Sequence, residues 1–571
     1  RFGVLLQKGG VVLRSRPISL LLFIVFVAGA ICWFRDAESR RNGRTYCLTI
    51  SLLVLLAGYY ITLALLADHP EPRYKFPIIW IQVLLFLAFG SALVRRLSIW
   101  FSTCYERYGL DEIVSHDSLI SCFVLFTILF IALGFYMYVD TAYPKDYADS
   151  PRGDASYYTS MAVYFDHPER IQTSATAIHL RRVLGPFVVH LLTRDTFNAL
   201  LGESDAFQVG FFGFDESTSA DPLHLAVWKI VRQTYLRMNL VLHLMTLILL
   251  FLVLKRLQLG LFYNFILCMM FLTLPAFMVY YVDWSPMVDP QSTFFFMLGL
   301  LLLLERRFFL LCLAVAIGTL ASEKLLIFLP TVAVLLWSES RENTGGSRLT
   351  HWKLVFLCIP VFAYGFLVVD PHFKNIRPFG QLGSTHSGDL FDLLVLLKFH
   401  LTRYFSNDLG LLKQPLVYFV VFCGFAYIIV FNLRSTVSFL RQRPAWLVYV
   451  LTVFLFAFYV DRYVFLLFPF VIRVTAFIVH RDDYFGTEFN KRTFYSLVCV
   501  THVLFMLIIM PLHWFPADAH TYLLQTEFMK LSDVTLRLFY LAVLFLFLYW
   551  IRHVLRGDKP WIDCVPLSLR S

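Results

Sequence analysis

Apolar runs long enough to form membrane helices recur along most of this chain, separated by short polar breaks. They fall at about 17–34, 46–67, 76–94, 118–139, 235–254, 260–281, 289–304, 307–321, 324–338, 353–370, 414–433, 444–460, 463–479, 494–512 and 535–552. Crossing the hydrocarbon core of a bilayer takes ~20 apolar residues, because a helix rises ~1.5 Å per residue through a layer ~30 Å thick. The pattern therefore predicts an all-α fold, a polytopic integral membrane helical bundle of about 13–15 transmembrane helices. The runs at 289–304 and 307–321 are short for a full crossing and are expected half-inserted or packed inside the bundle. Within the polar segments, 178–193, 222–234 and 392–404 have the pattern of short amphipathic helices lying at the membrane interface. No internal repeat of 20–50 residues is visible.

Basic residues follow the odd-numbered runs. Arg40, Arg41 and Arg44 come after the first, Arg95 and Arg96 after the third, and Lys255 and Arg256 after the fifth. Arg434, Arg441 and Arg443 follow the eleventh, Arg481, Lys491 and Arg492 the thirteenth, and Arg552 and Arg556 the last. Loops rich in Lys and Arg stay on the cytoplasmic side. The even-numbered runs then deliver the long polar segments to the opposite face: 140–234, the turn at 280–289, Ser322 to Lys324, 371–413, Asp461 with Arg462, and 513–533. The working face is expected to be extracytoplasmic or lumenal, in a bacterial inner membrane or the endoplasmic reticulum membrane. The organisation that follows is an N-terminal segment, 1–117, with three spans, and a membrane domain, 118–571, in which 140–234 is a large extracytoplasmic loop.

Composition strengthens this reading. The chain is 58% hydrophobic and 15% charged, with a mean hydropathy of +0.68, whereas soluble domains are about 25% charged. The net charge of +10 is spread over the short loops, so membrane lipid is the expected partner and nucleic acid is not. The 10 cysteines form no CxxC pair and lie in or beside apolar runs, which predicts small buried side chains rather than a disulfide framework or a zinc site. No GxxxxGK[ST], HExxH or GxSxG motif occurs.

Candidate chemistry concentrates between Asp140 and Pro186, the first long polar stretch after a series of apolar ones. Asp154, followed by Tyr157 and Tyr158, can serve as a general base on a hydroxyl, with the tyrosines stacking on a sugar ring. It can equally be a solvated loop carboxylate beside two interfacial tyrosines. Asp140 ends a span and is the alternative base, or caps that boundary. A second carboxylate near Asp154 would be the way for a divalent metal ion to enter, but no metal-ligand spacing accompanies it, and no other cofactor is expected. Arg182 suits a phosphate through paired hydrogen bonds, or a lipid headgroup. Asp283 and Asp289 bracket a very short turn, and helix capping accounts for Asp289 before Pro290. Glu323 with Lys324, and Asp461 with Arg462, interrupt long apolar stretches; charges there are costly and often functional, or else they mark tight hairpins exposed to water.

Taken in order, these motifs resemble the GT-C superfamily of polytopic membrane glycosyltransferases: a span, an outer loop with Asp154-x-x-Tyr157-Tyr158, then Arg182-Val183-Leu184-x-Pro186, Asp289-Pro290, Ser322-Glu323-Lys324, and Asp461-Arg462 before Pro469. The resemblance covers about residues 118–340 and 461–469. It implies an inverting transfer of sugar from a polyprenyl- or dolichyl-phosphate donor to an acceptor hydroxyl. It further implies an acidic residue of the first large outer loop, Asp154 or Asp140, as base, and Arg182 and Arg462 on the donor phosphate. In that superfamily the loop follows the first membrane helix; here it follows the fourth run. Two other readings stay open on the same residues: a multi-span transporter or lipid flippase without glycosyl transfer, and a non-catalytic membrane assembly subunit.

Overall fold

A computed structural model of the protein describes residues 116–142, 154–166, 182–201, 222–274, 289–342, 355–369, 422–457, 465–504, 506 and 531–556. These residues form fifteen α-helices, two 3-10 turns, the second a short one at 465–467, and no strand. The helices are α1 (His116–Ala142), α2 (Asp154–Val163), α3 (Leu184–Leu201), α4 (Pro222–Arg256), α5 (Leu261–Leu272), α6 (Asp289–Leu304) and α7 (Phe308–Thr319). After the 3-10 turn (Glu323–Ile327) come α8 (Phe328–Glu342), α9 (Cys358–Val369), α10 (Gly424–Phe431), α11 (Leu433–Gln442), α12 (Pro444–Ala457), α13 (Phe468–Arg481), α14 (Glu488–Leu504) and α15 (Leu531–Leu555). The described residues fall into two compact units: 116–127 with 492–504, and the remainder.

Proline marks where many of these helices begin. Pro186, Pro222, Pro290, Pro330, Pro360, Pro444 and Pro469 each lie within the first three residues of α3, α4, α6, α8, α9, α12 and α13. The first turn has no intrahelical partner for its N–H groups, so a residue lacking one costs nothing there, and its fixed φ suits the helix. Beyond Pro222, α4 contains neither proline nor glycine up to Arg256. It therefore runs unbroken for 35 residues, where the pattern suggested a short interfacial helix at 222–234 followed by a separate span. Its segment Ala226–Arg256 is, among the described residues, the one helix long and apolar enough by itself to cross a membrane. Shorter apolar helices include Leu261–Leu272, Asp289–Leu304 and Phe308–Thr319.

In the larger unit α4 packs against α3, α5 and α6, and α6 continues onto α7, which meets α9 and the 3-10 turn. The approach of α7 to its neighbours depends on Gly318, where a Cβ would sit 2.7 Å from Leu325 Cδ1 and 3.0 Å from Phe295 Cβ. The core is aromatic. Phe296 meets Phe328 at 5.0 Å between ring centroids, Phe468 lies 5.1 Å from Phe465 and 5.5 Å from Phe271, and Phe328 lies 5.5 Å from Tyr449. Such pairs add ~0.5–1.5 kcal/mol each beyond the burial of their surface. Tyr449 keeps its hydroxyl satisfied by donating to the Leu466 carbonyl at 2.6 Å.

The outside is apolar too. Phe130, Leu192, Val241, Phe309, Phe362 and Leu546 are exposed on the helix surfaces. Threonines within the helices return their hydroxyls to the carbonyl four residues back, as Thr193, Thr234, Thr246 and Thr452 do. That closes each polar group locally, without need of water.

Candidate functional site

Four chain segments bring charged groups to one place in the larger unit. Tyr158 comes from α2, Arg182 from the residues just before α3, Asp289 from the start of α6, and Glu323 and Lys324 from the start of the 3-10 turn. The turn is set by Ser322, whose side chain accepts from the Lys324 backbone N–H at 3.4 Å. The approach to α3 is tied to the end of α7 by the Leu184 N–H, which donates to the Leu320 carbonyl at 2.9 Å.

Arg182 is the hub. Its Nε donates to Glu323 Oε2 at 3.0 Å and its Nη2 to Glu323 Oε1 at 2.6 Å, a two-pronged pairing; Nη1 donates to the Tyr158 hydroxyl at 3.0 Å. Next to it Lys324 Nζ donates to Asp289 Oδ1 at 2.9 Å. The side chains of Arg182 and Lys324 are 4% and 6% exposed, while Glu323 and Asp289 keep 23% and 16%. The cations are thus enclosed, and water reaches the cluster on the carboxylate side. Burial pushes the Glu323 carboxyl up, but the Arg182 charge, the Arg182 hydrogen bonds and the Lys324 charge outweigh it and hold the group at about 2. Glu323 is therefore a fixed anion and a poor base near neutrality; its chemistry is to hold Arg182 in one orientation.

Two neighbours were not singled out by the sequence. Gln291, in the first turn of α6, is 3% exposed, and neither atom of its amide has a hydrogen-bond partner among the described residues. Its Nε2 presses on Gly185, where a Cβ would lie 2.3 Å from it. His190 on α3 places Nδ1 2.8 Å from the Ala162 carbonyl and Nε2 3.1 Å from Asp166 Oδ2, and Arg194 reaches the same carboxylate oxygen at 3.1 Å. A polar line also runs down the buried face of α4, through Tyr235, Asn239, His243 and Thr246, none more than 1% exposed. The His243 ring stacks on Tyr136 at 5.4 Å. The spacing of four, four and three is that of one helix face, but the run of leucines around it masks the period.

Of the residues expected to carry chemistry, Tyr158, Arg182, Asp289, Glu323 and Lys324 come together here. Asp154 is the first residue of α2 and Tyr157 its fourth, and Asp140 is in the last turn of α1; for these three the structure describes the backbone. Asp283, Asp461 and Arg462 lie outside the described residues. Among the described residues no three His, Cys, Asp or Glu side chains gather as a metal site. No protein-family model matches the chain, and neither a characterised protein nor a solved structure matches it.

Proposed function

We propose that this chain is a polytopic membrane glycosyltransferase of the GT-C type, moving a sugar from a polyprenyl- or dolichyl-phosphate donor to an acceptor hydroxyl on the extracytoplasmic face. The observation that carries the reading is the buried Tyr158–Arg182–Glu323 and Lys324–Asp289 cluster. Two enclosed cations sit there at the starts of α3 and α6, each held in place by a carboxylate. A bidentate carboxylate fixes the guanidinium before substrate arrives, so little ordering remains when a phosphate docks. The buried Gln291 amide offers a further donor and acceptor for a sugar hydroxyl. Exposed apolar side chains on the outer helix faces, and the unbroken Ala226–Arg256, support a bilayer as the surroundings.

In this reading the Asp154 carboxylate takes the proton of the acceptor hydroxyl as that oxygen attacks the anomeric carbon. The carbon–oxygen bond to the donor phosphate breaks, and the lipid phosphate leaves with the electron pair. Asp154 lies four positions before Tyr158 on α2, one helical turn from the residue that touches Arg182. Arg182 and Lys324 offset the charge developing on the leaving phosphate. Glu323, held ionised by its partners, is left with a positioning role.

The test is transfer of radiolabelled sugar from a polyprenyl-phosphate donor by the purified, reconstituted protein. Asp154→Asn is expected to lower the rate by ~10²–10⁴, the usual contribution of a general base. Asp154→Asn with unchanged transfer removes Asp154 from the mechanism. A wild-type protein that moves labelled lipid-phosphate sugar across a vesicle membrane but never transfers the sugar overturns the enzyme reading in favour of a flippase.

A further inference from the structure

A second group of charges, three arginines, lies on other helices of the same unit. Arg443 sits between α11 and α12, with its guanidinium 5.3 Å from the centre of the Phe439 ring. Arg481, the last residue of α13, stands 4.5 Å over the Phe477 ring. The two rings pack together at 5.2 Å. Arg473, Phe477 and Arg481 are spaced by fours, so they share one face of α13. The guanidiniums of Arg443 and Arg481 are therefore carried by two touching rings, and Arg473 lies two turns before Arg481 on the same helix face.

None of the three arginines has a carboxylate within ion-pair distance among the described residues, and the buried Nε of Arg473 has no hydrogen-bond partner among them. Burial, and then the repulsion of Arg481, make the environment of Arg443 unfavourable to its charge. Three cations gathered on a partly enclosed, aromatic-backed surface repel one another unless an anion completes them. Guanidinium is the side chain best matched to phosphate oxygens.

The neighbouring helix indicates where the anion comes from. On α11, Thr436 and Phe439 face inward while Leu433 and Val437 are 59% and 39% exposed, with exposed Arg434 and Arg441 beside them. Large apolar side chains alternating with arginines on a short outward-facing helix suit a membrane surface. The basic segment at 434–443, and the segment at 481–492, in which Arg481, Lys491 and Arg492 stand with Asp482, Asp483 and Glu488, are those that the charge pattern assigns to the cytoplasmic side, where anionic lipids concentrate.

We infer that Arg443, Arg473 and Arg481 bind the headgroup phosphate of an anionic phospholipid at the membrane surface beneath α11. The site is separate from the Arg182 cluster and does not depend on the transfer reaction.

The full chain, purified in a neutral detergent and offered an equal mixture of phosphatidylglycerol and phosphatidylcholine, tests this by native mass spectrometry of the retained lipid. Preferential retention of phosphatidylglycerol is expected. Arg473→Gln should weaken that retention about tenfold, the loss of roughly one charge-assisted contact, and Arg473→Lys should keep most of it. Equal retention of the two lipids, or an Arg473→Gln protein that retains phosphatidylglycerol like the wild type, overturns the inference. So does inorganic phosphate displacing the phosphatidylglycerol or raising the unfolding temperature as much, because the site then serves a soluble anion. If Arg473→Gln does not fold, Arg443→Gln, outside the helices, is measured in its place with the same expected loss, and unchanged retention there is equally decisive.

Discussion

Arg182 and Glu323 set the energetics of the candidate site because each is useful only while the other is present. Taking Glu323 to Gln leaves an enclosed guanidinium without its counterion, which typically costs ~3–5 kcal/mol. The expected outcome is a marked fall in the unfolding temperature in detergent, with Glu323→Asp intermediate. The pH dependence has a definite sign. The Glu323 carboxyl titrates at about 2 in the folded protein against 4.5 ordinarily. Its contribution, up to about 3 kcal/mol at ~1.4 kcal/mol per pK unit, is therefore complete above pH about 4.5 and is lost as the pH falls from there towards 2. Stability of the wild type should decline through that window, and the Glu323→Gln protein should decline less. An equal decline in both would assign the acid sensitivity to other carboxylates. Gln291 separates binding from folding. A buried amide without partners costs ~1–3 kcal/mol, so Gln291→Leu should leave stability unchanged or slightly raised while weakening donor binding, read as a higher KM. A loss of stability with unchanged KM would make Gln291 purely structural.

At the scale of elements, the site exists because α7, the 3-10 turn and α8 form a tight reversal that presents Glu323 and Lys324 to α6 and to the start of α3. Gly318 permits that reversal. A methyl group there meets Leu325 and Phe295 inside van der Waals contact, so Gly318→Ala should destabilise by ~1–3 kcal/mol and lower activity through displacement of Glu323. Thermal unfolding and transfer assays on the same preparation check both effects. Much of this scaffold was readable beforehand. The Asp289-Pro290 start, the break at Ser322-Glu323-Lys324 and the Arg182-to-Pro186 approach to α3 all announce themselves by charge or proline within apolar sequence. The convergence of Tyr158, Arg182 and Glu323 was legible only as a shared face, since a contact across 141 positions leaves no local pattern. Gln291 and the α4 line of Tyr235, Asn239 and His243 were hidden for another reason. Single polar residues inside a leucine-rich run barely alter its hydropathy, although their burial is what makes them expensive. The uninterrupted α4 differs from the expected two-part segment because polar residues near its start mimic an interfacial helix, while the absence of glycine and proline keeps the backbone helical throughout.

For the whole molecule, the Arg182 cluster and the group of Arg443, Arg473 and Arg481 are expected on opposite faces of the membrane. The charge pattern assigns the Arg182 segment to the extracytoplasmic face and the α11–α12 junction to the cytoplasmic face. The proposed transfer reaction requires the same arrangement, since a polyprenyl- or dolichyl-phosphate sugar used outside would meet its acceptor there, whereas anionic phospholipid is concentrated on the inner leaflet. Ser156 on α2 and the exposed Gln442 at the end of α11 are suitable reporters, neither being among the cluster residues. In sealed, right-side-out cells whose native accessible cysteines have been blocked by replacement with serine, Ser156→Cys should react with a membrane-impermeant maleimide. Gln442→Cys should react only after permeabilisation. Labelling of both from one side would remove the membrane from between the clusters and with it the proposed orientation of the active face. Labelling of Ser156→Cys from the cytoplasm alone would invert the topology and leave an extracytoplasmic lipid-linked donor without access to Arg182.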